Sequence, residues 1–267
     1  MKKKTILTLL IACFTTVYII AQCRVVRGES TDSLKFFYYG YDQTGKLASY
    51  ISKSTENGES YKYERQFAYG SNGLCVQIQS FFNDTLSSIE SFIYKNDLIV
   101  RKVYLNLRDT TTSIGTLYYN DKRQATHYVA KKSNGDTVYM RFDYAPEGYL
   151  KRHTRLSNDK YGSEVLEIAW DLASIPIDPE RTFFADSPLD LLSDWTIPTV
   201  PLSVKGNLKG RTTYKIEKDG KLTKQYSEEL FDNKANASGY LVENKYKTSP
   251  DNKVVTFRAF FEGCKNN

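Results

Sequence analysis

The sequence predicts an all-β protein: a long antiparallel meander of repeated hairpins that forms a strongly curved or partly closed sheet. Three observations predict this fold class. An aromatic-rich hairpin motif occurs five times, strand-like runs alternate with period two, and the connections are short and rich in Gly, Asn and Asp. A sheet of this length has to curl, split or close to protect its edges.

The hairpin motif recurs at a nearly fixed spacing. Each copy has an aromatic run, a tight turn and a second alternating run, and each is anchored by one tyrosine. These tyrosines are separated by 28, 25, 25 and 25 residues. They are Tyr41, Tyr69, Tyr94, Tyr119 and Tyr144. A fixed period of this size is the signature of a repeat architecture.

Two sets of turns separate the strands. In the first set, Gly45, Gly73 and Gly148 can supply the positive φ of a tight turn, and we expect Asn96-Asp97 and Asn120-Asp121 to substitute in the third and fourth copies. The second set contains dipeptides that favour hairpins. They are Asn57-Gly58, Asn83-Asp84, Asp109-Thr110, Asn134-Gly135 and Asn158-Asp159.

The runs between these turns alternate as half-buried strands do. Val138, Met140 and Phe142 share one face, for example, whereas the residues between them are polar or tyrosine. Because every connection is short, neighbours in sequence should be neighbours in space. We therefore expect about ten strands between residues 36 and 170.

A proline-rich connector interrupts the pattern. Five of the seven prolines lie in residues 171–210, where a central strand is not expected. Within it, 187–195 is predicted to form a short helix, with Ser187 as N-cap and Pro188 at the first helical position. The predicted organisation is a signal peptide (1–22), an N-terminal linker (23–35) and a single β domain (36–267), which comprises hairpin repeats (36–170), the connector (171–210) and C-terminal strands (211–264).

The N-terminus has the layout of an export signal. Lys2, Lys3 and Lys4 precede an apolar stretch that is too short for a confident transmembrane helix. Two cleavage sites compete. Signal peptidase could cut after Ala21, or the segment before Cys23 could act as a lipobox, whose cysteine would be lipidated. Gln22 stands where a lipobox has Gly or Ala. Either route predicts export to the periplasm, the outer membrane or the exterior.

The cysteines and the charge add weaker constraints. If Cys23 is lipidated, Cys75 and Cys264 become a natural disulfide pair in an oxidising compartment, and the alternative is two unrelated thiols. The formal charge of +6 includes the three N-terminal lysines, so the exported chain is near +3. This charge is small and evenly spread, and we expect no nucleic-acid partner.

The residues of common catalytic and metal sites are mostly missing. The two histidines, His127 and His153, lie in basic strand-like runs and are expected on the surface. No G-x-S-x-G or H-E-x-x-H motif is present. A pair of carboxylates could still cleave glycosides, but Glu164, Glu167 and Glu228-Glu229 resemble solubilising charges of strand faces. We expect no enzyme, no metal and no cofactor.

Two copies of the repeat resemble the YD repeat of Rhs-type proteins. They are residues 39–47 (YGYDQTGKL) and 142–150 (FDYAPEGYL). Taken whole, the chain resembles a Bacteroidota family of secreted proteins and lipoproteins of unknown function with degenerate YD-like hairpins. The resemblance includes Val200-Pro201 after the repeats and the terminal hairpin at 218–224. It implies an envelope protein, and members are sometimes labelled lipid-binding.

These observations lead to three functional hypotheses. The first is a non-enzymatic secreted or envelope-anchored protein that binds an apolar or glycan ligand, such as a lipid, on a concave aromatic face. The second is a structural or interaction protein that presents its sheet to another envelope protein. The third is a polysaccharide-active enzyme. Membrane contact is expected only through lipidation of Cys23.

Overall fold

The computed structural model describes residues 24–30, 35–56, 58–158, 162–171, 207–235 and 241–262. The predicted signal peptide, Cys23, Cys264 and the predicted helix at 187–195 lie outside these residues. No helix in the described ranges is long and apolar enough to cross a membrane.

The described residues form sixteen strands. They are β1 (Arg24–Ser30), β2 (Lys35–Tyr41), β3 (Leu47–Glu56), β4 (Glu59–Tyr69), β5 (Cys75–Phe82), β6 (Thr85–Lys95), β7 (Leu98–Asn106), β8 (Thr112–Tyr119), β9 (Ala125–Lys132), β10 (Thr137–Tyr144), β11 (Leu150–Ser157), β12 (Glu164–Asp171), β13 (Asn207–Ile216), β14 (Leu222–Ala235), β15 (Leu241–Ser249) and β16 (Val254–Glu262).

Every strand pairs antiparallel with its neighbours in sequence. β1 additionally pairs with β16, so that the strand order returns to its start and closes a barrel. The predicted all-β antiparallel meander is confirmed, and eleven of the described strands, β2–β12, cover the region where about ten were expected. Closure removes both sheet edges, which are otherwise open to pairing with other chains.

Two sequence boundaries differ from the structure. β1 lies inside the segment 23–35 that was predicted to be a linker, and β13 begins at Asn207, inside the predicted connector 171–210. β1 has no aromatic residue and contains Gly28, so its sequence is a weak strand signal. It forms a strand because β2 and β16 supply hydrogen-bonding partners on both sides.

Four of the five turns in the first set share one backbone pattern, and the third is a two-residue turn between Lys95 and Leu98. In the copy at Ala145, the Ala145 N–H donates to the Tyr149 carbonyl and the Gly148 N–H donates to the Ala145 carbonyl, at 2.8 and 2.9 Å. Asn96 and Asp97 take positive φ in the third copy, as predicted. In the fourth copy the expectation for Asn120-Asp121 is wrong, because Arg123 takes the positive φ of 62° at the position that glycine occupies elsewhere.

The anchoring tyrosines tie successive hairpins together. A register shift precedes each of them, and three donate a hydrogen bond to the carbonyl that follows the first turn of the previous hairpin. These bonds are Tyr69 Oη to Leu47 O (2.8 Å), Tyr94 Oη to Cys75 O (2.7 Å) and Tyr119 Oη to Ile99 O (2.8 Å). Burial raises the pKa of Tyr119 to about 12, which keeps the hydroxyl protonated as a donor. The period of about 25 residues therefore corresponds to one tyrosine per hairpin that hydrogen-bonds to the hairpin before it.

The strands bury one face, here called the core face, and expose the other, here called the outer face. Val138, Met140 and Phe142 are buried together on the core face, which confirms the predicted alternation. On the same face the Tyr128 ring lies over Gly115, where any Cβ would overlap it. Tyr139 and Arg141, between the core residues of β10, are exposed on the outer face.

Candidate functional site

The described residues contain an open groove on the outer face, here called the outer-face groove. It has a volume of about 310 Å³ and lies where β10–β12 meet the β13–β14 hairpin. Val165 forms its floor: this side chain points to the outer face, yet it is only 1 % exposed because the walls cover it. The aliphatic walls are Leu156, Ile216 and Leu222.

The polar lining of the groove comes from neighbouring strands. Tyr139, Arg141, Arg152 and Thr154 line it. Arg141 Nη2 is 3.1 Å from Asp143 Oδ2 on the same strand, which partly neutralises that guanidinium. The groove is thus mainly aliphatic, with polar groups at one side.

Arg152 is the most unusual of these polar groups. Its Nε is buried and has no hydrogen-bond partner. Asp143 and Glu167 lie opposite Arg152 in the sheet register, and Glu167 accepts a hydrogen bond from Tyr214, whose pKa is raised by burial and by this carboxylate. An unpaired buried donor is costly, and the same side chain lines the groove, where a guanidinium can donate to an oxygen atom of a bound molecule.

Aromatic side chains also lie on the outer face beside the groove. The His127 ring stacks on Tyr118, with centroids 4.2 Å apart, and lies 6.0 Å from Tyr139. Tyr118 and Tyr139 are both more than one third exposed. His127 is half-buried, near the surface position predicted for it.

The aromatic residues of the core face do not offer a comparable surface. Phe92, Tyr128 and Phe142 are buried in the main core cluster, and the anchoring tyrosines from Tyr69 to Tyr144 pack against it half-buried. Among the described residues, the strongly exposed aromatic side chains belong to the outer face or to the C-terminal strands. The aromatic surface predicted for the concave side is therefore largely a packing surface.

The surface position predicted for His153 is wrong. Its ring is 7 % exposed and stacks on Phe142 in the core, with centroids 5.3 Å apart. Burial, reinforced by the nearby Arg155 charge, lowers the pKa of His153 to about 4, so the ring is neutral at pH 7. Its Nε2 has no hydrogen-bond partner. The signal that could have revealed this burial is the alternation of β11, which places His153 opposite Phe142.

A buried ionic cluster was not anticipated from the sequence. Glu90 Oε2 lies 2.7 Å from Lys102 Nζ, and Glu90 Oε1 lies 3.4 Å from Arg65 Nη2. Glu90 and Lys102 are both buried. Although burial would raise the pKa of Glu90, the two cations hold it below the ordinary value. The alternation Ser88, Glu90, Phe92 would have placed this carboxylate on the core face.

The predicted cysteine chemistry stays a prediction. Cys75 is a buried free thiol whose Sγ donates to the Gln77 carbonyl at 3.4 Å. Burial raises its pKa to about 12, which disfavours the reactive thiolate. Its proposed disulfide partner, Cys264, lies outside the described residues, as does the lipidation candidate Cys23.

Among the described side chains, the first two carboxylates considered for catalysis lie on opposite faces of the sheet. Glu164 lies opposite Arg155 on the core face, whereas Glu167 lies opposite Arg152 on the outer face. Glu229 is exposed, and the Glu228 side chain is outside what the structure describes. Within the described ranges, no group of three or more His, Cys, Asp or Glu side chains could hold a metal ion.

Comparison with solved structures gives a fold neighbour. The chain is similar to a porin-like protein from Bacteroides uniformis, with a TM-score of 0.53, 10 % identity, and 89 % of this chain and 98 % of that chain covered. A porin-like protein from Bacteroides vulgatus matches with a TM-score of 0.39, 12 % identity and the same coverages. At these identities the first similarity concerns the fold alone, and the second is too weak to support an argument.

The remaining comparisons identify no family for this chain. The structure of TcdB2-TccC3-Cdc42 matches with a TM-score of 0.23 and 10 % identity, covering 86 % of this chain and 16 % of that chain, which does not confirm the YD-repeat resemblance. No protein-family model matches the chain, and no curated protein matches it.

Proposed function

We propose that this chain is a non-enzymatic, exported protein of a bacterial envelope that binds a small amphipathic ligand in the outer-face groove. The aliphatic walls and the buried floor at Val165 would take an apolar chain, and Arg152 would bind an oxygen-bearing head group. The observation that carries this proposal is the Arg152 guanidinium, whose Nε has no hydrogen-bond partner, at the side of a mainly aliphatic groove. Ligand sites commonly combine apolar walls with a few convergent polar groups.

The volume and the charge of the groove are consistent with such a ligand. A volume of about 310 Å³ is at the lower end of ligand-site volumes. The charges around Arg152 are nearly balanced by Asp143 and Glu167, so the head group needs hydrogen-bond acceptors more than a large negative charge. A glycan could use the same polar groups with Tyr139 as a stacking surface, and it is the competing ligand class.

Fluorescence titration with cis-parinaric acid tests the groove. The chain expressed without residues 1–22 should bind this fluorescent fatty acid saturably. Arg152→Gln and Leu222→Ser should each weaken binding about tenfold, because one removes a charged donor and the other removes an apolar wall. Arg101→Gln, an exposed arginine outside the groove, is the matched control and should bind as the parent does.

Two results would contradict the proposal. One is an absence of saturable binding, and the other is binding that neither groove variant changes. Binding to immobilised glycans that is lost in Tyr139→Ala, without fatty-acid binding, would assign the groove to the glycan class. Native mass spectrometry of the protein from its own host would identify a co-purifying ligand and show whether Cys23 carries diacylglycerol.

A second candidate function is an interaction protein of the envelope. The observation that favours it is a set of exposed aliphatic side chains on the outer face outside the groove, including Ile93 and Ile114, which are 50 % and 49 % exposed. Solvent-exposed apolar groups of this kind, when clustered, mark contact surfaces.

A further inference from the structure

The outer face of β6–β9 combines exposed aliphatic and exposed basic side chains. Both kinds are distributed over four strands, and none of these side chains lines the groove. We refer to this surface as the basic outer face. It is formed by Ile93, Lys95, Arg101, Ile114, Val129 and Lys131.

Few carboxylates lie on the strands of the basic outer face. Strands β6–β11 contain only two carboxylates, and one of them, Glu90, is on the core face in the buried ionic cluster. The other, Asp143, is paired with Arg141. Lys95, Arg101 and Lys131 make no ion pair with a described carboxylate. Their charges are therefore available to an anionic partner.

Cations and apolar residues alternate on this surface rather than forming separate patches. Arg101 lies directly opposite Ile93, and Lys131 lies directly opposite Ile114. Val129 lies opposite Thr116 and Tyr139, in the same cross-strand row as Arg101. These residues occupy four strands, and at about 4.8 Å spacing the surface is roughly 14 Å wide across the strands.

On the neighbouring strands β4 and β5, the charged and amide side chains of the outer face pair with one another. There Lys62 is paired with Glu64 at 2.8 Å, Gln66 donates to Glu64 at 2.8 Å, and Gln79 donates to Gln77 at 3.2 Å. These polar side chains satisfy one another within their own strands. The basic outer face is consequently a local property of β6–β9 and not a general feature of this sheet.

We propose that the basic outer face docks on the surface of an anionic lipid bilayer. Lysine and arginine near such a surface are attracted to the lipid phosphates, while adjacent aliphatic side chains enter the boundary between head groups and acyl chains. A protein partner would favour an apolar centre with charges at its rim, whereas here each isoleucine is directly opposite a cation. This inference does not depend on a ligand in the outer-face groove.

Vesicle co-sedimentation tests the proposal. The chain is expressed without residues 1–22 and with Cys23→Ser, so that acylation cannot contribute. It should bind vesicles of phosphatidylglycerol and phosphatidylcholine, bind pure phosphatidylcholine vesicles much more weakly, and lose affinity as salt is added. Each basic residue removed should weaken binding roughly fivefold, so the triple variant Lys95→Gln, Arg101→Gln, Lys131→Gln should lose on the order of a hundredfold.

Controls separate charge from hydrophobic contact and from the groove. Ile93→Thr with Ile114→Thr should weaken vesicle binding while keeping its salt dependence. Lys53→Gln, on the outer face of β3, should have no effect. The triple variant should still bind cis-parinaric acid, and Leu222→Ser should still bind vesicles, so that failure of either proposal can be recognised separately.

The proposal is overturned if the protein does not bind anionic vesicles, or if the triple variant binds them as strongly as the parent. Binding to immobilised polyglutamate without binding to vesicles would also overturn it, and would assign the surface to an acidic polypeptide.

Discussion

In strands β4–β8, the core face has an apolar half beside the anchoring-tyrosine turns and a polar half towards the asparagine-containing turns. Cys75, Ile99 and Leu117 belong to the apolar half, where tyrosine hydroxyls satisfy backbone carbonyls. Glu90 and Lys102 belong to the polar half and form a buried ion pair. The two halves thus have different sources of stability on one continuous face.

This difference indicates how each half should respond to substitution. Packed apolar groups and neutral hydrogen bonds contribute in small independent increments. A buried ion pair behaves differently, because removing one partner leaves an uncompensated charge in a medium of low dielectric constant. We therefore expect substitutions in the polar half to cost more than equivalent ones in the apolar half.

The largest effect is expected for Lys102→Met. This change leaves Glu90 buried with only the longer contact to Arg65, at 3.4 Å. We expect the free energy of unfolding to fall by about 3–5 kcal/mol, measured by urea denaturation. The double variant Glu90→Gln, Lys102→Met should recover most of this loss, because it removes both charges. A double variant that is no more stable than Lys102→Met would show that the lysine acts through packing instead.

Acid should produce the next largest effect, through the buried ring of His153. Burial lowers its pKa from 6.5 to about 4, so the unfolded chain takes up this proton at a higher pH than the folded chain does. The contribution of the neutral ring is complete above about pH 6.5 and is lost as the pH falls towards 4. The expected loss at pH 4 is about 3 kcal/mol.

The measurement is the free energy of unfolding at several pH values for the parent and for His153→Phe. Carboxylates with lowered pKa, such as Glu90, contribute acid sensitivity to both proteins, and the difference isolates the histidine. Between pH 6.5 and 4 the parent should lose more stability than the variant. Parallel curves would mean that the ring is hydrated or already charged in the folded protein.

The fold was predictable because its repeat depends on short-range sequence patterns. The tyrosine spacing, the glycine turns and the alternation each depend on residues close in sequence, and they gave the correct class and nearly the correct strand count. β1 escaped detection because its pairing depends on β16, more than 200 residues away. The turn at Arg123 escaped because a non-glycine residue took a conformation that local preference assigns to Gly or Asn.

The candidate site was much less predictable. Val165, Leu156 and Leu222 come from three strands, and nothing in the local sequence shows that the β13–β14 hairpin covers Val165. Aromatic content suggested the concave side, yet those rings are used for packing. His153 was placed on the surface because of its basic neighbours, although the period-two pattern of β11 puts it in the core. For the burial of His153, the period-two alternation was a more reliable signal than the charge of its sequence neighbours.

The smallest expected effect distinguishes two of the anchoring tyrosines, Tyr94 and Tyr144. Tyr94 Oη donates to the Cys75 carbonyl at 2.7 Å, whereas Tyr144 Oη is buried and has no hydrogen-bond partner. Tyr94→Phe should therefore lower the free energy of unfolding by about 1 kcal/mol. Tyr144→Phe should leave it unchanged or raise it by up to about 1 kcal/mol, because an unpaired buried hydroxyl is destabilising. Urea denaturation of both variants under one condition makes the comparison, and since each replacement removes the same atom, unequal losses report the hydrogen bond and not the ring. Equal losses would mean that Tyr144 also finds a partner in solution, and that the tyrosine ladder continues through the fifth hairpin.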